Sequence, residues 1–160
     1  MVNAYFLDTS ALVKKYMTET GSTWIETLTD AESDNKIILA RVTWVETLSA
    51  FTKLHRENRI DLNVLNQTIN VFKADWESQF QIVEVKKSDY EKAGELLKKH
   101  PLRAYDSIQL ACALKIHSAF AQTAPQAFTF ASADDRLINA AQAEGMQVEN
   151  PNNHSEISRF

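Results

Sequence analysis

Ala4-Tyr5-Phe6-Leu7-Asp8-Thr9-Ser10 decides how the rest of the chain is read, because a short apolar run is followed at once by a carboxylate. Ala4 to Leu7 has the character of a buried strand. In open α/β sheets ligands collect beyond the carboxyl ends of the strands, so Asp8 is aimed at a crevice rather than into the core. A plainer job is open to the same residue, since Asp, Ser and Thr all cap helices and a helix is expected from about Ser10. What separates the two readings is whether other acids occupy comparable places further along.

The chain beyond this stretch alternates helical and extended patterns. Ala11 to Tyr16 read as a short helix with Lys14 and Lys15, and Thr20-Gly21-Ser22 turns into a second helix through Trp24, Ile25 and Leu28. Ile37-Ile38-Leu39, within Lys36 to Ala40, predicts a second buried strand. From Val42 the spacing becomes helical through Val45, Leu48 and Phe51, with Glu46 beside the apolar stripe and Arg56 and Arg59 in the polar end. Leu62 to Trp76 form another amphipathic helix capped by Asp61, its stripe running through Leu62, Leu65, Ile69 and Phe72. Phe80 to Val85 predict a third strand, and Ser88-Asp89 start a helix through Ala93, Leu96 and Leu97 that Pro101 stops. Ala104 to Ala119 are a strongly apolar helix with Asp106 in its first turn. Phe128 to Ala131 predict a fourth strand, Asp134 to Glu144 a helix closed by Gly145, and Gln147 to Glu149 a fifth strand.

Strands separated by helices require crossover connections, hence a mainly parallel sheet covered on both faces. The expectation is one α/β domain over residues 1–150, a three-layer α/β/α sandwich with about five strands, followed by a loose tail at 151–160.

With 160 residues, 44% of them hydrophobic, the chain can bury a core without metal or disulfide staples. A single cysteine, Cys112, excludes an intrachain disulfide, and its apolar neighbours assign it to helix packing. No basic lead or long apolar run suggests a secretory signal or membrane span, so the expected location is the cytoplasm. A net charge of -4 argues against holding nucleic acid by bulk positive charge. It does not exclude a nuclease whose carboxylates bind cations that reverse the local sign.

Asp8, Glu46, Asp106 and Asp134 stand out. Asp8 and Asp134 follow predicted strands, while Glu46 and Asp106 begin helices that follow loops. Each also has a structural reading: Glu46 can snorkel, Asp106 suits its helix dipole, and Asp134 or Asp135 can cap, with Ser132 and Asp135 approximating a capping box. Carboxylates gathered in one crevice repel one another unless a cation compensates, and oxygen-only ligation favours Mg²⁺ or Mn²⁺ over zinc.

The motifs carrying these acids resemble those of PIN-domain proteins, in particular the VapC-type toxins of toxin-antitoxin pairs. Phe6 to Leu12 is similar to the opening motif, Val45-Glu46 through Ser49-Ala50 to the second, and Leu102 to Ala111 to the third. Thr129 to Asp134, followed by Arg136-Leu137 and Ala140 to Gly145, is similar to the fourth. The resemblance implies a Mg²⁺-dependent endoribonuclease, with Mn²⁺ able to substitute, and a site of Asp8, Glu46, Asp106 and Asp134. Thr9 and Ser10 are implied helpers, with the capping of the first helix left to one of them, and Asp135 is the rival of Asp134. Lys14, Lys15, Arg56, Arg59 and Arg103 are candidate contacts to RNA phosphates.

The same resemblance implies a protein antitoxin whose cationic side chain enters the acidic site. It also implies a homodimer formed through the helices bearing Ile25 to Leu28 and Val64 to Phe72, stripes that core packing explains equally well. Two rival readings are a haloacid-dehalogenase-like phosphatase using Asp8, which wants a second acid where Ser10 stands, and a catalytically silent PIN-type binding module.

Overall fold

Side chains alternate along the strands between two apolar layers, and this sorts the core into halves. The computed structural model describes residues 2–155, and among them the sheet comprises β1 (Ala4–Leu7), β2 (Lys36–Ala40), β3 (Gln81–Val83), β4 (Phe128–Ala131) and β5 (Val148–Glu149). Ala4 and Phe6 of β1, Ile38 and Ala40 of β2, and Phe128 and Phe130 of β4 face one layer. That layer is built from α5 (Lys87–Lys99), α6 (Ala104–Ala121) and α7 (Asp135–Ala143). Leu7, Ile37, Leu39 and Ala131 face the other, built from α1 (Thr9–Leu12), α2 (Ser22–Leu28), α3 (Thr43–Arg56) and α4 (Leu62–Ser78). The three-layer α/β/α sandwich is therefore present, with its sheet parallel throughout.

The strand order is β3-β2-β1-β4-β5. The chain walks outward from β1 to β3, then crosses back to lay β4 on the free side of β1. Connections leave β1 and β4 in opposite directions, and the crevice opens where they part. Asp8 stands at that point, its backbone N–H donating to the carbonyl of Ala131 at 3.1 Å. Helices α3 and α6 both start at this edge, since each runs back against strands that end there.

Some local expectations are corrected. The first helix begins earlier and is shorter, covering Thr9–Leu12, and a 3-10 turn over Val13–Lys15 completes the stretch. Val45, Leu62 and Leu97 were assigned to apolar stripes but are 53%, 56% and 42% exposed. On α3 Trp44 takes the inward place, packing on Phe72 and Trp76 with ring centroids 5.3 and 5.2 Å away. The stripes proposed for self-association are mostly core: Ile25, Leu28, Leu65 and Phe72 are buried, whereas Val64 and Val71 are exposed.

The tail is also not loose where it is described. Asn150 caps a 3-10 turn over Pro151–Asn153, Pro151 is buried, and the His154 ring stacks on Trp24 at 4.3 Å. Gly21, at φ +86°, lies under Pro151 so closely that a Cβ there would overlap the Pro151 carbonyl, which explains why the turn into α2 carries glycine. Residues 156–160 of the expected tail lie outside the described residues. Among the described residues no helix is long and apolar enough to cross a membrane.

Candidate functional site

Asp8 leaves β1 in extended conformation (φ -76°, ψ 175°), which turns its carboxylate back over the start of α1. Oδ1 accepts the backbone N–H of Ala11 at 2.9 Å, so Asp8 itself caps the helix; the expectation that Thr9 or Ser10 would do so is corrected. The two hydroxyls are used elsewhere. Ser10 donates to the Asp8 carboxylate at 2.8 and 2.9 Å and accepts the N–H of Ala133 at 2.9 Å, tying the β1 loop to the β4 loop. Ser132 donates to Asp8 Oδ2 at 2.7 Å. Burial outweighs these donors and pushes the Asp8 carboxyl up to about 7, since a carboxylate with 4% exposure loses most of its hydration.

Glu46, in the first turn of α3, is held from two sides. Thr9 Oγ1 donates at 3.1 Å and the Gln109 amide at 2.8 Å. Its carboxyl is raised, first by burial and further by the nearby Asp106 charge, against the lowering effect of those hydrogen bonds and of Arg103. The Gln109 amide also donates to Thr43 at 2.8 Å, while its carbonyl oxygen is buried without a partner.

Asp106 and Asp134 meet across one guanidinium. Arg103 Nε donates to Asp106 Oδ2 at 3.2 Å, and its Nη2 lies 3.7 Å from Asp134 Oδ2. Asp134 caps α7 through the N–H of Arg136 at 2.9 Å. Asp8, Thr9, Ser10, Glu46, Arg103, Asp106, Gln109 and Asp134 thus line a single pocket of about 220 Å³.

Not every expected residue arrives. The exposed Asp135 has its carboxylate bonded by Asn150 at 3.0 Å and is not among the residues lining the pocket. Ser132 forms no capping box with it, being committed to Asp8 and to the N–H of Asp134. Lys14, expected on the surface, is 4% exposed with its ammonium on Glu19 at 3.0 Å. Arg56 ends α3 ten residues beyond Glu46, about 15 Å along the axis at 1.5 Å per residue. Of the five basic candidates named for phosphate, only Arg103 borders the pocket. Cys112 is buried and its thiol is raised to about 11, which leaves it inert.

Gln109, and Ser132 as a partner of Asp8 instead of a cap, go beyond what the sequence pattern points to. For Gln109 a signal existed: it falls three residues after Asp106, on the same side of α6, as a lone amide in an apolar run. Gln109→Leu is expected to lower stability by about 1–2 kcal/mol, because Glu46 and Thr43 lose a buried donor. Urea denaturation checks this, and a variant as stable as the parent would show that the amide holds nothing in place.

The donor set suits a hard cation, since apart from the apolar Val13 and Ala50, Arg103 and the Gln109 nitrogen, the side chains lining the pocket offer oxygen. Among the described residues no three His, Cys, Asp or Glu side chains already stand close enough around one point to hold an ion. Mg²⁺ tolerates such spacing by keeping several of its waters.

A family model described as "PIN domain" matches residues 5–142. The chain belongs to the PIN-domain family. No curated protein matches it. Solved structures resemble this PIN domain in fold, at low identity. VapBC2 of Rickettsia felis, bound to a DNA fragment from its promoter, aligns with TM-score 0.60 and 14% identity, over 92% of this chain and 98% of that one. FitAcB of Neisseria gonorrhoeae gives 0.56 and 20%, over 92% and 97%. VapC20 of Mycobacterium tuberculosis, described as a sarcin-ricin loop cleaving toxin, gives 0.57 and 16%, over 89% and 95%.

Proposed function

We propose that this PIN domain is a divalent-metal-dependent endoribonuclease of the VapC type, the toxin of a toxin-antitoxin pair acting in the cytoplasm. The observation that carries the reading is the convergence of Asp8, Glu46, Asp106 and Asp134 on one pocket at the crevice between β1 and β4. Four acids without a cation would be self-repelling, and phosphodiester hydrolysis is the chemistry that most needs cations at such a place.

Asp8 and Asp106 would hold the ion directly, with Glu46 and Asp134 completing the shell directly or through waters. A bound Mg²⁺, for which Mn²⁺ substitutes, supplies Lewis acidity and a water of lowered pKa. The protein's own part is geometric. Ser10 and Ser132 fix the Asp8 carboxylate, Thr9 and Gln109 fix that of Glu46, and Arg103 stands where a phosphate would enter. Ser10, which donates to Asp8, stands where a phosphatase of the haloacid-dehalogenase type wants a second acid, which favours the metal-ligand role for Asp8.

The RNA substrate is supported by the description of VapC20, and a protein partner by a structural neighbour described as a toxin-antitoxin complex from Klebsiella pneumoniae. A second copy would meet the exposed Leu62, Val64 and Val71 of α4. The test is incubation of the purified protein with structured RNA and millimolar Mg²⁺. Internal cleavage is expected, stopped by EDTA and restored by excess Mg²⁺. Cleavage that persists at full rate in EDTA, or none on any RNA, would overturn the proposal.

A further inference from the structure

Arg103 is 72% exposed along its side chain, yet its guanidinium is folded inward onto the acids instead of outward into water. It bonds Asp106 at 3.2 Å, approaches Asp134 at 3.7 Å, and its charge is also felt by Glu46. A surface arginine gives up considerable rotamer freedom to hold such a pose, so the pose reflects the field of the carboxylates. Arg136, a second cation near this group, lies 3.9 Å from Asp134 and is not among the residues that line the pocket.

We infer that Arg103 is the pocket's own counter-cation, and that a divalent ion binds by displacing its guanidinium from Asp106 and Asp134. This rests on the metal-site reading above. A carboxylate oxygen that accepts a guanidinium N–H cannot offer the same lone pair to an ion, and two cations in one small pocket repel. The displaced guanidinium stays at the mouth on a flexible stem. Entry of the ion and release of the arginine are therefore one exchange, and the protein's affinity for metal is held below what its carboxylates alone would give.

The exchange is tested by titrating Mn²⁺ into the full chain, without RNA, by calorimetry or by the loss of the free-ion paramagnetic resonance signal. Arg103→Gln is expected to bind Mn²⁺ about three- to tenfold more tightly than the parent, the span set by removing one or two exposed ion pairs. Arg56→Gln removes the same charge about 15 Å away along α3 and is expected to change affinity less than about twofold, which controls for net charge. Because Arg103 is exposed, the substitution leaves the fold intact, and an unchanged melting curve without metal verifies that. Equal or weaker Mn²⁺ binding by Arg103→Gln, or the same gain in Arg56→Gln, overturns the inference. The outcome that removes the reading beneath it is distinct: parent protein whose Mn²⁺ binding is absent or indifferent to Asp106→Asn.

Discussion

Asp8→Asn is expected to slow Mg²⁺-dependent RNA cleavage by about a hundredfold or more while leaving the protein folded. If Asp8 holds the ion as proposed, the substitution removes a charged ligand from the centre of the site, where even supporting partners of metal ligands typically contribute about 10–100-fold. The fold survives because the amide is nearly isosteric. Its oxygen still accepts the N–H of Ala11, preserving the cap on α1, and its nitrogen faces the Ser132 hydroxyl, which accepts as well as donates. Initial rates at saturating Mg²⁺, taken with a melting curve for each protein, check both halves. A rate within a few-fold of the parent would remove Asp8 from the machinery and return it to the role of a cap.

The second large effect is on stability, and its sign is opposite to intuition for an acidic protein. In the unfolded chain Asp8 ionises near the ordinary carboxylate value of about 4, whereas in the fold burial holds it at about 7. Between those values the native state keeps a proton that the unfolded state has released. The contribution of Asp8 to stability is therefore complete at and below about pH 4, and is lost as pH rises through 7. Three pH units correspond to about 4 kcal/mol, an upper bound equivalent to roughly 8–16 °C in melting temperature for a domain of this size.

Glu46, also raised by burial, adds a loss of the same sign. Metal-free protein in EDTA should accordingly melt lower at pH 8 than at pH 5, beyond what Asp8→Asn shows. The difference between the two curves isolates this carboxyl from every other titrating group. Parallel curves would mean that Asp8 ionises normally in the fold. If an ion binds as proposed, the same burial makes its binding pH-dependent, because the ion replaces the proton and offsets the cost of the buried charge.

The central strands were legible because parallel strands buried on both faces read as continuous apolar runs. β1, β2 and β4 accordingly occupy the residues expected of them, while the edge strands β3 and β5 come out shorter than their predicted spans. The four acids were legible as positions, since strand ends and helix starts are fixed by the chain's local pattern. That they share one pocket follows from the β1 to β4 pairing, which no local pattern encodes.

What stayed hidden depended on tertiary contact. Lys14 reads as surface charge beside Lys15 until the 3-10 turn over Val13–Lys15 buries it against Glu19. Val45 sits at a stripe position by spacing, yet Trp44 fills the space beside Phe72 and leaves Val45 outside. Asp135 and Asp134 are adjacent and chemically identical; only Asn150, from the far side of β5, draws the first away.

Whether these four carboxylates share a divalent ion can be seen in a crystal soaked in Mn²⁺, through anomalous difference density. A peak is expected in the pocket within about 2.2 Å of Asp8 and Asp106 oxygens, with Glu46 and Asp134 ligating directly or through waters and Arg103 turned away from Asp106. A saturating soak that leaves the pocket without a peak, or places the ion on other residues while the guanidinium remains on Asp106, would contradict a shared ion.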